Sequence, residues 1–254
     1  MLQFQTFLQS TKIYTVNEID KFLNKSLSEI NTVKKKKIEY INIPCSFDIE
    51  TSSFFRSNGN EKVAIMYEWT LGVNGLCMIG RTWLEFISVI NKISEKLVTC
   101  SSYRLIIYVH NLAYEFQFMR KYFKWDKVFS IDNRKPVYAL TISGIEFRCS
   151  YILSGYNLAN LGKNLHKYKV LKKEGDLNYA LIRHSGTPLT EKELGYCIND
   201  VKVVMAYIQE CIEHDGNIAK IPLTKTGYVR NYVRNKCFYD EGKSHKKSFK
   251  RMKY

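Results

Sequence analysis

The chain has 254 residues, 45% of them hydrophobic, so one large domain or two small ones can bury a sizeable core. A formal net charge of +15 points to a polyanionic partner, nucleic acid ahead of an anionic membrane. Seven scattered cysteines, odd in number and without a Cys-x-x-Cys, argue against a zinc site or a disulfide framework; no apolar run approaches a membrane span, and a cytoplasmic location is expected.

Residues 1–37 read as an N-terminal extension, with helical spacing from Asn17 to Ile30 and a basic run, Lys34 to Lys37, taken as a solvated linker in preference to a phosphate contact. Ile38 to Glu50 reads as one strand, bent or entered at Pro44. Val63–Trp69 and Leu76–Ile79 flank Asn74-Gly75, a strong hairpin signal. Thr82-Trp-Leu-Glu85 is a capping box opening a helix to about Leu97. Tyr103–Val109 is a β-rich run ending at His110-Asn111, and Ala113–Phe123 reads as a short aromatic helix. Val137–Ile142 and Ile145–Cys149 form a second hairpin around Ser143-Gly144, and Leu158–Leu165 a helix. Thr190-Glu-Lys-Glu193 is a second capping box; behind it Leu194, Ile198, Val201, Met205, Ile208 and Ile212 mark the clearest amphipathic helix of the chain. Composition changes near Pro222, and residues 236–254 are Lys-rich without apolar periodicity. Hairpins followed by strands alternating with helices predict an α/β fold with a mixed central sheet, the Asp48 strand central and the late helix across it.

Three stretches carry acids. Asp48 and Glu50 alternate with Phe47 and Ile49, so in a strand both carboxylates point to one face and the apolar pair to the other. Alone, Asp-x-Glu is better read as a solvated strand end. Glu115 lies in the first turns of the helix after His110-Asn111, where a negative charge is favourable in any case. Tyr114 and Phe118 share one side of that helix, as core or as a platform for stacking bases. Tyr196 and Asp200, one turn apart, stand away from the apolar stripe of the late helix and are not needed for its core.

In order and spacing, Asp48-x-Glu50, His110-Asn-Leu-x-Tyr-Glu115 and Tyr196-x-x-x-Asp200 resemble the three Exo motifs of the DEDDy-type 3′–5′ exonucleases. Their flanks, Phe-Asp-Ile-Glu-Thr51, Tyr-Val-His-Asn-Leu112, Lys-Lys-Glu-Gly-Asp-Leu-Asn-Tyr179 and Tyr-Cys-Ile-Asn-Asp-Val201, resemble the protein-primed family B DNA polymerases of phages and linear plasmids, over roughly Pro44 to Gln209. The resemblance implies a ribonuclease-H-like fold over residues 38–220. It implies two Mg²⁺ or Mn²⁺ ions held by Asp48, Glu50, Glu115 and Asp200, with Tyr196 orienting the attacking water. It implies Thr51, His110, Asn111, Tyr114 and Phe118 as contacts to a single-stranded DNA 3′ end, with Tyr179 nearby and Lys172 or Lys173 at the scissile phosphate. The expected partners are that DNA end and, beyond it, a terminal protein or a separate polymerase chain, in a host cytoplasm if a phage encodes the protein.

Two departures stand out. The second-motif acid is usually Asp and here is Glu115, one methylene longer. Residues 221–254, opening with Ile221-Pro-Leu-Thr-Lys-Thr-Gly-Tyr-Val-Arg230, resemble the entry to the polymerase module, yet neither Asp-x-x-Ser-Leu-Tyr nor Tyr-x-Asp-Thr-Asp occurs. The expectation is therefore an exonuclease module with a basic stub, from a fragment or a split gene. The competing expectation is a module that binds single-stranded DNA, a polymerase or a terminal protein with impaired cleavage.

Overall fold

The strand signals assemble into one mixed sheet. The computed structural model describes residues 2–56, 59, 61–132, 134–171 and 181–239. In order, the elements are α1 (Leu2–Gln9), β1 (Ile13–Thr15), α2 (Ile19–Ser26), β2 (Thr32–Lys35), β3 (Ile38–Ile41), β4 (Cys45–Phe55), β5 (Lys62–Val73) and β6 (Leu76–Gly80). There follow α3 (Trp83–Leu97), β7 (Tyr103–Val109), α4 (Leu112–Met119), β8 (Trp125–Ser130), β9 (Pro136–Thr141), β10 (Ile145–Cys149), α5 (Ser150–Ser154), α6 (Leu158–Lys163), α7 (Glu191–Asp215) and α8 (Lys225–Tyr239).

The strand order is β1-β6-β5-β4-β7-β10-β9-β8, with the β2–β3 hairpin joined to β7. β4 is central, antiparallel to β5 and parallel to β7. The single bent strand expected over Ile38–Glu50 is two strands. β3 lies beside the start of β7 and β4 beside its end, with Pro44 in the break between them. A proline has no N–H for a sheet ladder, so the pairing changes there.

The Asn74-Gly75 turn forms as the sequence predicts, with φ 49° and 91° at the two residues. Both capping boxes form: Thr82 accepts from the Glu85 N–H and Thr190 from the Glu193 N–H. The N-terminal segment, expected as an extension, is woven into the sheet and core. β1 pairs with β6, and Phe22 and Leu23 of α2 are fully buried with the main apolar cluster. The basic run is part of a hairpin rather than a linker, with Lys34 and Lys35 in β2.

One face of the sheet packs on α3. Phe47 stacks on Phe86 at 4.2 Å between ring centroids, with Trp69, Leu71 and Ile107 in the same cluster. Each such side chain contributes about 1.5–3 kcal/mol by its burial. α7 packs across the opposite face, against β4 and β5. No helix among the described residues is long and apolar enough to cross a membrane.

Candidate active site

The site is set by where β7 stops. Ser46 faces Tyr108 and Phe47 faces Val109, so β7 ends as β4 passes on to Asp48. The chain then turns through His110 and Asn111. Asn111 takes a left-handed backbone conformation, φ 79°, which asparagine tolerates better than most residues. α4 starts there, beside Asp48, and its first turn carries Glu115 inward to 4% exposure.

On β4 the alternation holds. Phe47 and Ile49 enter the α3 core, while half-buried Asp48 and Glu50 face α7. Across the antiparallel pair, Thr70 stands opposite Asp48 and Glu68 opposite Glu50, before a bulge shifts the register between Glu50 and Thr51. α7 crosses close above. A Cβ on Gly72 of β5 would lie 2.5 Å from a Val201 methyl, so only glycine admits the helix at this distance. The approach delivers Tyr196, Cys197 and Asp200, with Asp200 6% exposed.

The electrostatics show how closely the acids gather. Burial pushes the Glu115 carboxyl well above its usual range, and the charges of Asp48 and Glu50 push it further. Burial pushes Glu68 up to about 8; the charge of Asp48 adds to this, while the Thr70 hydroxyl opposes it. The Cys197 thiol is raised by burial and then by the charges of Glu68, Glu50, Asp48 and Asp200. Asp200 is thereby placed in the same field as the β4 pair. Glu115 Oε2 is buried without a hydrogen-bond partner. Among the described residues, however, no three His, Cys, Asp or Glu side chains are grouped as they would be around a single ion.

The residues expected to touch nucleic acid lie along one rim. Thr51 and Tyr114 share a hydroxyl–hydroxyl hydrogen bond of 2.5 Å, joining β4 to α4. The Tyr114 ring, 42% exposed, lies 5.2 Å from that of Phe118. His110 packs edge-on against Tyr151 at 5.7 Å, and its Nδ1 is 3.1 Å from the Ser150 hydroxyl. Asn111 is exposed at the head of α4. Lys172, Lys173 and Tyr179 lie outside the described residues. The chain on either side of them is held: Asn199 Nδ2 donates to the Leu171 carbonyl at 2.8 Å, and the Ser52 hydroxyl donates to the Leu181 carbonyl and accepts the Arg183 N–H. Arg183 is itself buried, 2.7 Å from Glu193 and over the Tyr67 ring.

Glu68 and Cys197 were not anticipated as part of this cluster, nor Ser150 and Tyr151 beside His110. A signal for Glu68 exists in the sequence, since it is the one acid in the apolar run Met66–Leu71. A lone carboxylate in a buried strand needs a partner to offset its desolvation.

No family model matches the sequence, and no curated protein matches it significantly. Solved structures do. Phi29 DNA polymerase complexed with single-stranded DNA aligns with TM-score 0.55 and 15% identity over 77% of this chain and 36% of its own. Its ternary complex with primer-template DNA and incoming nucleotide gives TM-score 0.55 and 15% identity over 68% and 31%. The exonuclease domain of Aedes aegypti Nibbler aligns with TM-score 0.45 and 12% identity over 80% of this chain and 88% of that one. The chain thus spans about a third of the phi29 polymerase chains it matches. The likeness is one of fold: a ribonuclease-H-like mixed sheet flanked by helices.

Proposed function

We propose that the chain is a divalent-metal-dependent 3′–5′ exonuclease module acting on single-stranded DNA 3′ ends, of the kind found in protein-primed family B DNA polymerases. The observation that supports this is the meeting of Asp48 and Glu50 from β4, Glu115 from α4 and Asp200 from α7 in one electrostatic neighbourhood. The donors suit Mg²⁺ or Mn²⁺, since all are hard carboxylate oxygens. The buried, unpartnered Glu115 Oε2 fits as well, because such an atom costs free energy that a cation would offset. Asp48, Glu50, Glu115 and Asp200 would hold the metal. When bound, two ions would stabilise charge on the attacking and leaving oxygens of a phosphodiester.

The remaining roles fall to the chain itself. Tyr196, one turn from Asp200, orients the attacking water. Tyr114 and Phe118 offer a stacking surface that tolerates any base, as removal of unselected 3′ nucleotides requires. Thr51, by holding the Tyr114 hydroxyl, fixes that surface relative to Asp48. His110 and Asn111 contact the terminal nucleotide, and Lys172, Lys173 and Tyr179 complete the set of proposed contacts. A terminal protein or a polymerase chain is a further proposed partner.

The test is degradation of a 3′-labelled single strand with Mg²⁺, with Mn²⁺ and with EDTA. Cleavage is expected with either metal and none with EDTA; Asp48→Ala should lower it by more than about a hundredfold, the upper range for loss of a residue merely supporting a metal ligand. Intact cleavage in Asp48→Ala sinks the mechanism. A second reading, a binding module with impaired cleavage, draws on the long, deeply buried Glu115 and on the lack, among the described residues, of a ready-made three-ligand group. Glu115→Asp separates the two. For a working site the rate should change by no more than a few-fold upward, whereas a gain beyond about tenfold, or 1.4 kcal/mol, identifies an impaired native site.

A further inference from the structure

Between Met66 and Leu71, strand β5 is buried throughout, and Glu68 and Thr70 are its polar residues. Glu68 is 1% exposed. It stands opposite Glu50 across the antiparallel pair, a position where like charges destabilise a sheet. Asp48 adds its charge from one step along β4. The groups bonded to Glu68 are neutral: the Thr70 hydroxyl donates to Oε1 at 2.6 Å, and the Cys197 thiol reaches it from α7. The charge of Arg81 also opposes the rise, less than the Thr70 hydroxyl does, while its guanidinium bonds the carbonyls of Tyr67, His184 and Thr187. A second, separate observation points the same way. Glu115 Oε2 enters this cluster from α4, buried and without a hydrogen-bond partner. An unpartnered carboxylate oxygen of Glu115 on the α4 side and an acid held only by neutral donors, Glu68, on the β5 side would both be served by positive charge between them.

We propose that Glu68 is an additional cation-holding residue, which together with Glu50 draws a divalent ion to the β4–β5 side of the acid cluster. The inference rests on the metal-dependent reading above and extends it to a carboxylate outside the three motifs. An acid whose role was only to fill the core would have no reason to face Glu50. A hard divalent ion accepts several carboxylate oxygens and turns that opposition into a shared ligand set.

The experiment is Mn²⁺ titration of the full chain, followed by electron paramagnetic resonance, for wild type, Glu68→Gln, Glu68→Asp and Asp48→Ala. Melting by circular dichroism with and without Mn²⁺ accompanies it. Glu68→Gln should weaken Mn²⁺ binding about tenfold to a hundredfold, keep a cooperative melt without metal, and lose much of the Mn²⁺-induced rise in Tm. Glu68→Asp, which keeps the charge, should recover most of the affinity. Wild-type affinity in Glu68→Gln, with Asp48→Ala weakened, overturns the role of Glu68 and leaves the metal site standing. A loss in Glu68→Gln that Glu68→Asp does not recover overturns it too. No Mn²⁺ binding by wild type, or binding unaffected by Asp48→Ala, overturns the metal-dependent reading and the Glu68 proposal together.

Discussion

Glu68 and Glu115 share a property that a single side chain can report. Each is buried among other acids, so its neutral form is favoured in the folded protein. For Glu68 the carboxyl is pushed from its ordinary 4.5 up to about 8. Between those values the folded state holds more protons than the unfolded chain, so stability is present below the lower one and lost as pH rises through the upper. Without metal, stability should fall between about pH 4.5 and 8, by up to about 1.4 kcal/mol per pH unit for Glu68, and Tm with it. Glu68→Gln should flatten that slope, and a set of thermal melts across the range checks it. At this scale alternation and helix phase account for the placement of three of the acids. Asp48 and Glu50 share a strand face, and Asp200 stands off the apolar stripe. The burial of Glu115 and the inclusion of Glu68 were not legible, because both depend on what a distant segment packs against them. β5 meets β4 only through a register that no local pattern specifies.

Among the elements, α7 decides whether the acids meet. It is stiffened at its start by the Thr190–Glu193 box and the Arg183–Glu193 ion pair, and it settles against β5 over Gly72. Gly72→Ala would drive a methyl into Val201 and Met205, at 2.5 Å from each. Overpacking of that kind costs about 1–3 kcal/mol, and urea unfolding should show it. The displaced helix should also weaken Mn²⁺ binding, although residue 72 ligates nothing. This helix and α3 were readable from the sequence because a cap and a long apolar period mark each of them. β8 was not. Its residues are mostly exposed, and pairing with β9 holds it rather than any alternation of its own. β1 has three residues, too few to show a period, and it is defined by β6 beside it. The helix expected over Ala113–Phe123 ends at Met119; beyond it Tyr122 stacks on Trp83 and Phe123 meets Trp125 edge-on.

At the scale of the whole molecule, the charge of +15 coexists with a cluster of acids on one face of the sheet. Proteins that grip a nucleic-acid backbone release counterions, so affinity falls linearly on a log–log plot against salt, with a slope of about −0.7 for each phosphate neutralised on a single strand. Binding of a fluorescent single-stranded oligonucleotide should follow such a line, with little dependence on base sequence. A flat salt response would remove the electrostatic part of the proposal. Composition bears only on the sign of a partner's charge, while the order of the strands had to come from the fold. The N-terminal residues illustrate why: their apolar positions, Phe4, Phe22 and Leu23, mark a core without saying whose core it is.

The two anchors around residues 172–180 carry a consequence of their own. The segment leaves Leu171 under the grip of Asn199, next to Asp200, and returns at Leu181 under the grip of Ser52, two residues past Glu50. Closing a loop costs entropy that grows with its length, and here folding meets that cost before any ligand arrives. Leu171 and Leu181 thus hold both ends of the intervening segment near the acids whether or not a ligand is bound. A cut between the two anchors would give up that advantage while leaving every described acid in place.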